Sequence, residues 1–142
     1  MSIRSRQESG STYADPVLLI VEDHASIRIE VGRILSAAFP GCKCILCGSG
    51  EEAARVARTQ YVDAVLMDIA LPGINGIEAT RQIKAFAPWV PVVMLSAYGE
   101  DMFGPIARAA GASGYVQKDA MCNELVPVLV GLMKQPRKRT SA

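Results

Sequence analysis

Five side chains carry the chemistry this sequence offers. Glu22 and Asp23 stand together after the apolar run LLIV, Asp68 closes the run AVLM, Ser96 closes VVML, and Lys118 follows YVQ. Each type is common alone; the signal is that all five fall at the carboxyl ends of short apolar runs. In an open α/β sheet those ends form the edge where ligands bind. Carboxylates crowded on one edge resist ionising together, so three acids there call for a cation. Carboxylate-rich, all-oxygen ligation suits Mg²⁺ (or Mn²⁺), which keeps several waters and bridges to phosphate. A carboxylate beside such an ion, a hydroxyl and a lysine is an arrangement for accepting a phosphoryl group. Asp68 is then the nucleophile that forms an aspartyl phosphate. Asp23 holds the ion that shields the incoming charge, Lys118 holds a phosphoryl oxygen as a point charge, and Ser96 donates a hydrogen bond to another.

These residues need a frame, and the chain supplies one by alternation. Strand-like runs lie at Pro16–Asp23, Cys42–Ser49, Asp63–Ile69, Val90–Ala97 and Ser113–Lys118. Between and after them come patterns of helical period: 27–39, Gly50–Thr59, 76–86, Glu100–Ala112 and Asn123–Lys134. Ser49 with Glu52 offers a capping box for the second helix. Pro40-Gly41 stops the first helix and Pro88 the third, while Pro127 is expected at or near the first turn of the last, where a missing N–H is tolerated. Gly104-Pro105 is expected to shorten or distort the start of the fourth. Regular β–α alternation predicts an α/β fold, a doubly wound parallel sheet with helices on both faces. Runs one and three, nearly pure Val, Leu and Ile, read as central strands; the mixed second run reads as a flank.

Composition sets the outer bounds. One domain suits 142 residues, and 50% hydrophobic with 20% charged residues gives a packed core and excludes wholesale disorder. The longest uncharged stretch, Ala85–Gly99, spans 15 residues and holds two prolines, too short and too broken for a membrane helix. The first 14 residues have no apolar run and do not read as a secretory signal. Those features predict a cytoplasmic protein. They divide the chain into a flexible N-terminal extension (1–14), a folded domain (15–134) and a basic C-terminal tail or linker remnant (135–142). The net charge of +1 hides an asymmetry: four bases lie in 134–142 and one net base in 1–14, leaving −4 for 15–133. A mildly acidic body argues against direct nucleic-acid binding by this chain. The run CKCILC lacks the paired C-x-x-C knuckles and nearby His of zinc sites, so its cysteines read as small apolar packing groups, Cys42 and Cys44 on one face and Cys47 on the other. His24 is expected in the loop opening helix one, near the acids but outside the chemistry. Trp89 is expected to anchor the loop before strand four.

VLLIVEDHASIR, AVLMDIALPGINGIEA, VVMLSAYGE and GASGYVQKD together resemble the receiver domain of two-component response regulators, over about Val17 to Met133. GASGYVQKD is most similar to receivers that carry a C-terminal helix-turn-helix. The resemblance implies a flavodoxin-like sheet of order 2-1-3-4-5, with Asp68 as phosphoacceptor. Asp23 is implied as a direct metal ligand with Asp68, Glu22 acts through water, and the backbone carbonyl of Ala70 completes the set. Ser96 matches the switch hydroxyl, Lys118 the family's lysine, and Tyr115 the switch aromatic that turns inward on activation. The implied output surface is helix four, strand five and helix five. The implied partners are a histidine kinase or phosphotransfer protein and a downstream protein or C-terminal output domain, with a homodimer also open. Ser96 stands where Thr is commoner, and Asp119 where many receivers have Pro, which argues against a cis peptide there. Tyr98, two after Ser96, could shield the path of an attacking water.

Two rivals share parts of this frame. A nucleotide- or flavin-binding module needs a phosphate loop after strand one, where Glu22 and Asp23 repel phosphate. An aspartate-nucleophile hydrolase needs an acid two residues past the nucleophile, and that residue is Ala70. The expected role is therefore signalling with at most slow autophosphatase activity.

Overall fold

The structure, a computed structural model, describes residues 15–133. Five strands and five α-helices alternate along it: β1 (Val17–Val21), α1 (Ala25–Ala38), β2 (Lys43–Cys47), α2 (Gly50–Thr59), β3 (Ala64–Asp68), α3 (Gly76–Phe86), β4 (Val92–Ser96), α4 (Glu100–Ala109), β5 (Gly114–Gln117) and α5 (Met121–Leu132). All pairings are parallel and the sheet order is β2-β1-β3-β4-β5. The expected order 2-1-3-4-5 is thus met.

Strand alternation divides the core into two layers. Leu18, Ile20, Leu66, Val93, Leu95 and Val116 face one way, against Val31 and Leu35 of α1 and Leu125 and Leu129 of α5. Leu19, Val21, Val65, Met67, Val92 and Met94 face the other, against Ala53 of α2, Ala79 and Ile83 of α3 and Ala107 of α4. Each Leu, Ile, Val or Met so buried contributes about 1.5–3 kcal/mol. Every residue of β3 and β4 is buried, whereas β2 and β5 are partly open. That is the burial expected of central strands and flanks.

Local signals set most helix starts. Ser49 Oγ accepts from Glu52 N at 3.1 Å, and Glu52 Oε1 accepts from Gly48 N, one residue before the usual capping-box donor. Asn75 caps α3 by accepting from Glu78 N.

Several expectations need correction. Gly104-Pro105 does not shorten the start of α4, which runs unbroken from Glu100 with Pro105 as its sixth residue. The acids Glu100 and Asp101 favour the helix N-terminus, and Pro105 removes only the N–H that would bond the Asp101 carbonyl. In α5, Pro127 is not in the first turn. A 3₁₀ turn over Lys118–Ala120 leads directly into a helix beginning at Met121, and the stripe Met121, Leu125, Leu129 packs on the sheet, leaving Pro127 interior. Trp89 does not anchor its loop: it is 65% exposed, on the rim of a shallow cleft with Tyr61 and Phe86. Of the cysteines only Cys47 is buried; Cys42 and Cys44 are half-buried and Cys122 is exposed. Among the described residues all peptide bonds are trans, and no helix is long and apolar enough to cross a membrane. The N-terminal extension and the basic tail lie outside the described residues.

Candidate functional site

The carboxyl ends of β1, β3 and β4 and the start of the 3₁₀ turn after β5 meet at one edge, because parallel strands end on the same side. β1 delivers Glu22 as its chain leaves the sheet, and Glu22 N donates to Cys47 O of the neighbouring strand at 3.0 Å. β3 delivers Asp68 directly beside Leu95 of β4. The loop after β3 then turns sharply. Gly73 takes φ +72, and a Cβ on Gly76 would collide with the Asp68 carbonyl. Glu51 Oε2 accepts from Ile74 N at 3.1 Å and ties this loop to α2.

The side chains brought together are these. Lys118 Nζ lies 2.9 Å from Glu22 Oε1 and 3.3 Å from Asp68 Oδ1. The Glu22 contact is a close ion pair outside hydrogen-bond alignment. Asp68 Oδ1 also accepts from Ala70 N at 3.2 Å, while Asp68 Oδ2 is buried with no hydrogen-bond partner among the described residues. One donor atom each from Glu22, Asp23, His24 and Asp68 fall within 4.8 Å of one another. Glu22 is 0% and Asp68 2% exposed, whereas Asp23 opens to solvent.

Burial sets the electrostatics. Desolvation first, and then the charge of Glu22, push Asp68 up to about 6, against the pull of Lys118 and the Ala70 N–H. Burial also pushes Glu22 up, but Lys118 and His24 together outweigh it and hold Glu22 below the usual carboxylate range. Lys118 is pulled down by burial, yet Glu22 and Asp68 more than compensate and raise it. Three acids face one lysine, so the ionised cluster carries a deficit of two positive charges. Three carboxylates with that deficit and an orphaned buried oxygen, His24 at their side, fit a hard divalent cation.

Ser96 is buried at the same edge, its Oγ accepting from Tyr98 N at 3.0 Å. Tyr115 is half-buried, and its hydroxyl donates to the carbonyls of Tyr98 (2.9 Å) and Gly99 (3.3 Å). Both therefore hold the β4–α4 loop, and Tyr115 is already clasped to it. Tyr98 packs its ring edge-on against Phe103, centroids 5.5 Å apart. His24, expected outside the chemistry, touches both acids: Nδ1 is 3.0 Å from Glu22 Oε2 and 3.4 Å from Asp23 Oδ1. Its adjacency to the acid pair was the only available signal. Arg28 carries no such signal in the sequence; it donates to the Glu22 carbonyl at 2.9 Å from the first turn of α1, one helical turn beyond His24.

Known proteins share this frame. Residues 18–129 match the model of the response regulator receiver domain. The chain is 39% identical over 113 residues to the response regulator UvrY of Escherichia coli strain K12, covering 79% of this chain and 51% of that protein. It is 38% identical to the response regulator GacA of Pseudomonas viridiflava, covering 79% and 52%. The chain thus spans about half the length of the curated relatives it matches. Among solved structures, the receiver domain of the sensor histidine kinase PA1611 of Pseudomonas aeruginosa PAO1 superposes with TM-score 0.77 at 30% identity, over 86% of this chain and 100% of that one. That domain holds a magnesium ion in its active-site cleft. A LuxR-family two-component response regulator from Aurantimonas sp. SI85-9A1 gives TM-score 0.75 at 32% identity, over 90% and 91%. The parallel five-stranded sheet, its acidic, lysine-paired edge and these matches together define a receiver-type signalling module. The chain belongs to the response regulator receiver domain family.

Proposed function

We propose that Asp68 is the phosphoacceptor of this receiver and that its phosphorylation, by a histidine kinase or phosphotransfer protein, switches the α4–β5–α5 surface. The observation that carries this reading is a buried Asp68 whose Oδ1 faces Lys118 while its Oδ2 has no hydrogen-bond partner among the described residues, with two further acids beside it. A carboxylate oxygen of Asp68 attacks the phosphorus of a phosphohistidine; the P–N bond breaks, and the electron pair leaves with the imidazole, which takes a proton from solvent. Lys118, now shared between Glu22 and Asp68, moves to a phosphoryl oxygen. Asp23, Asp68 and the Ala70 carbonyl would hold Mg²⁺, or Mn²⁺ in its place, with Glu22 acting through water. Such an ion neutralises charge on the phosphoryl oxygens as they approach the carboxylates.

Ser96 and Tyr115 both grip the β4–α4 loop. A Ser96 hydroxyl donated to the phosphoryl group draws that loop toward Asp68, and Tyr115 carries the shift to β5. Exposed Tyr98, Met102 and Ile106 at α4, with Val130 on α5, give that surface apolar area for a partner. Ala70 places no acid two residues past Asp68, so the acyl phosphate hydrolyses slowly and outside substrates are not turned over. The relatives run to about twice the matched length, which supports control of a C-terminal output, of helix-turn-helix type, over action by this acidic domain on nucleic acid itself. A homodimer is one route by which the switched surface reaches that output. The protein acts in the cytoplasm, where phosphohistidine donors are made. Incubation with Mg²⁺ and a small acyl phosphate adds one phosphoryl mass to the wild type and none to Asp68→Asn. A gain on both, or on neither, would overturn the assignment.

A further inference from the structure

The acidic edge holds one donor beyond the set of acids and the Ala70 carbonyl that would bind Mg²⁺. His24 is the N-cap residue of α1, and its Nδ1 lies 3.4 Å from Asp23 Oδ1. That nitrogen and one oxygen each from Glu22, Asp23 and Asp68 all fall within 4.8 Å of one another. Ligands about 2.0–2.2 Å from one cation lie at most about 4.4 Å apart, so small side-chain shifts bring Asp23, His24 and Asp68 onto a single ion. A second observation points into the same space: Asp68, 2% exposed, has its Oδ2 buried with no hydrogen-bond partner among the described residues.

The imidazole can turn to an ion without breaking the site. Its Nδ1 faces Glu22 Oε2 at 3.0 Å, but that oxygen also accepts from the His24 backbone N–H at 3.2 Å. Lys118 stays 2.9 Å from the other oxygen, so Glu22 keeps partners when the ring moves. The His24 side chain is 66% exposed and makes no cap bond to α1, so its rotation disturbs no core packing. The type of donor then decides which ion gains. Mg²⁺ takes oxygen ligands and keeps several waters. Imidazole nitrogen favours the later first-row cations, Co²⁺, Ni²⁺ and Zn²⁺.

We propose that His24 Nδ1 is a direct ligand, beside Asp23 and Asp68, for a divalent cation of the cobalt–nickel–zinc class, and so sets the cation preference of this pocket. The inference rests on reading the edge as the cation pocket of a receiver. One metal–water bond breaks and one metal–nitrogen bond forms from the Nδ1 lone pair. The neutral ring keeps its proton on Nε2, which it reaches by exchange with solvent. No oxidant or reductant takes part.

His24 is the chain's only histidine, so an untagged full chain with ¹⁵N-labelled histidine gives a residue-specific test. In long-range ¹⁵N–¹H spectra, Zn²⁺ moves the Nδ1 resonance and fixes the proton on Nε2, while Mg²⁺ produces no such pattern. Displacement of Mn²⁺, read by the electron paramagnetic resonance of the released ion, counts only ions that enter the pocket. The ratio of Zn²⁺ to Mg²⁺ concentrations needed for that displacement rises about tenfold in His24→Asn, which keeps an N–H for Glu22 and offers no ring nitrogen. Displacement by Zn²⁺ with Nδ1 unmoved, or with the ratio unchanged in His24→Asn, overturns the role of His24 and leaves the receiver pocket standing. A wild type that binds neither Mn²⁺ nor Mg²⁺ overturns both.

Discussion

Replacing Asp68 with Asn stabilises the fold when divalent cations are absent. Burial and Glu22 raise Asp68 from the ordinary 3.8 to about 6 in the folded chain. Between those values the folded state binds more protons than the unfolded state, so stability falls as pH rises through the window and the penalty is complete above pH 6. The displacement corresponds to about 3 kcal/mol, a ceiling because Glu22 and Lys118 titrate with Asp68. Asn keeps an oxygen for the Ala70 N–H and leaves Lys118 paired with Glu22. The expected gain in EDTA is thus about 2–3 kcal/mol at pH 7.5, shrinking below about 1 kcal/mol near pH 4. Urea denaturation reads this as a midpoint about 1–2 M higher for Asp68→Asn at pH 7.5. Added Mg²⁺ then stabilises the wild type by RT ln(1 + [Mg²⁺]/Kd) and narrows the gap, with little effect on the Asp68→Asn variant. A variant no more stable than the wild type at pH 7.5, or a gap that stays flat from pH 4 to 7.5, would refute the reasoning.

Lys118→Met leaves Glu22 and Asp68 buried without their cation; at pH 7 it destabilises by about 3–5 kcal/mol, and the loss shrinks steadily as pH falls from 7, because without Lys118 both acids take up their protons at higher pH than before, checked by denaturation across pH. Tyr115→Phe removes the hydroxyl held by the Tyr98 and Gly99 carbonyls; it costs about 1 kcal/mol and speeds hydrogen exchange in the β4–α4 loop while sparing β1. Pro105→Ala returns an N–H to the Asp101 carbonyl inside α4 and raises the denaturation midpoint by about 1–3 kcal/mol equivalent; a lower midpoint would show that the proline ring is needed there.

The parts of this molecule that depend on residue type and short period were readable from the chain. The apolar runs of β1, β3 and β4 are buried on both faces, which makes them nearly continuous in Val, Leu, Ile and Met, and their last residues mark the functional edge. Asp23, Asp68 and Lys118 could be brought together because topology, not side-chain detail, puts them there. What escaped depended on packing. Pro127 looked like a helix start because proline is favoured there, but the Met121–Leu125–Leu129 stripe recruits an earlier turn. Gly104-Pro105 looked like an interruption, yet one missing hydrogen bond does not stop a helix whose acids favour its N-terminus. His24 reaches the acids, and Arg28 the Glu22 backbone carbonyl, through the turn geometry at the head of α1, and Glu51 reaches Ile74 across 23 positions; no local pattern signals such contacts.

Borohydride trapping identifies the phosphorylated residue itself, because it reduces an aspartyl phosphate to homoserine. After treatment with Mg²⁺ and an acyl phosphate donor, tryptic peptide 59–81 holds Asp63 and Asp68, and fragment ions separate them. Homoserine is expected at position 68 alone, dependent on Mg²⁺ and absent from Asp68→Asn. Homoserine at position 23 or 63, or an unmodified Asp68 under a donor that phosphorylates another receiver in the same tube, would contradict it.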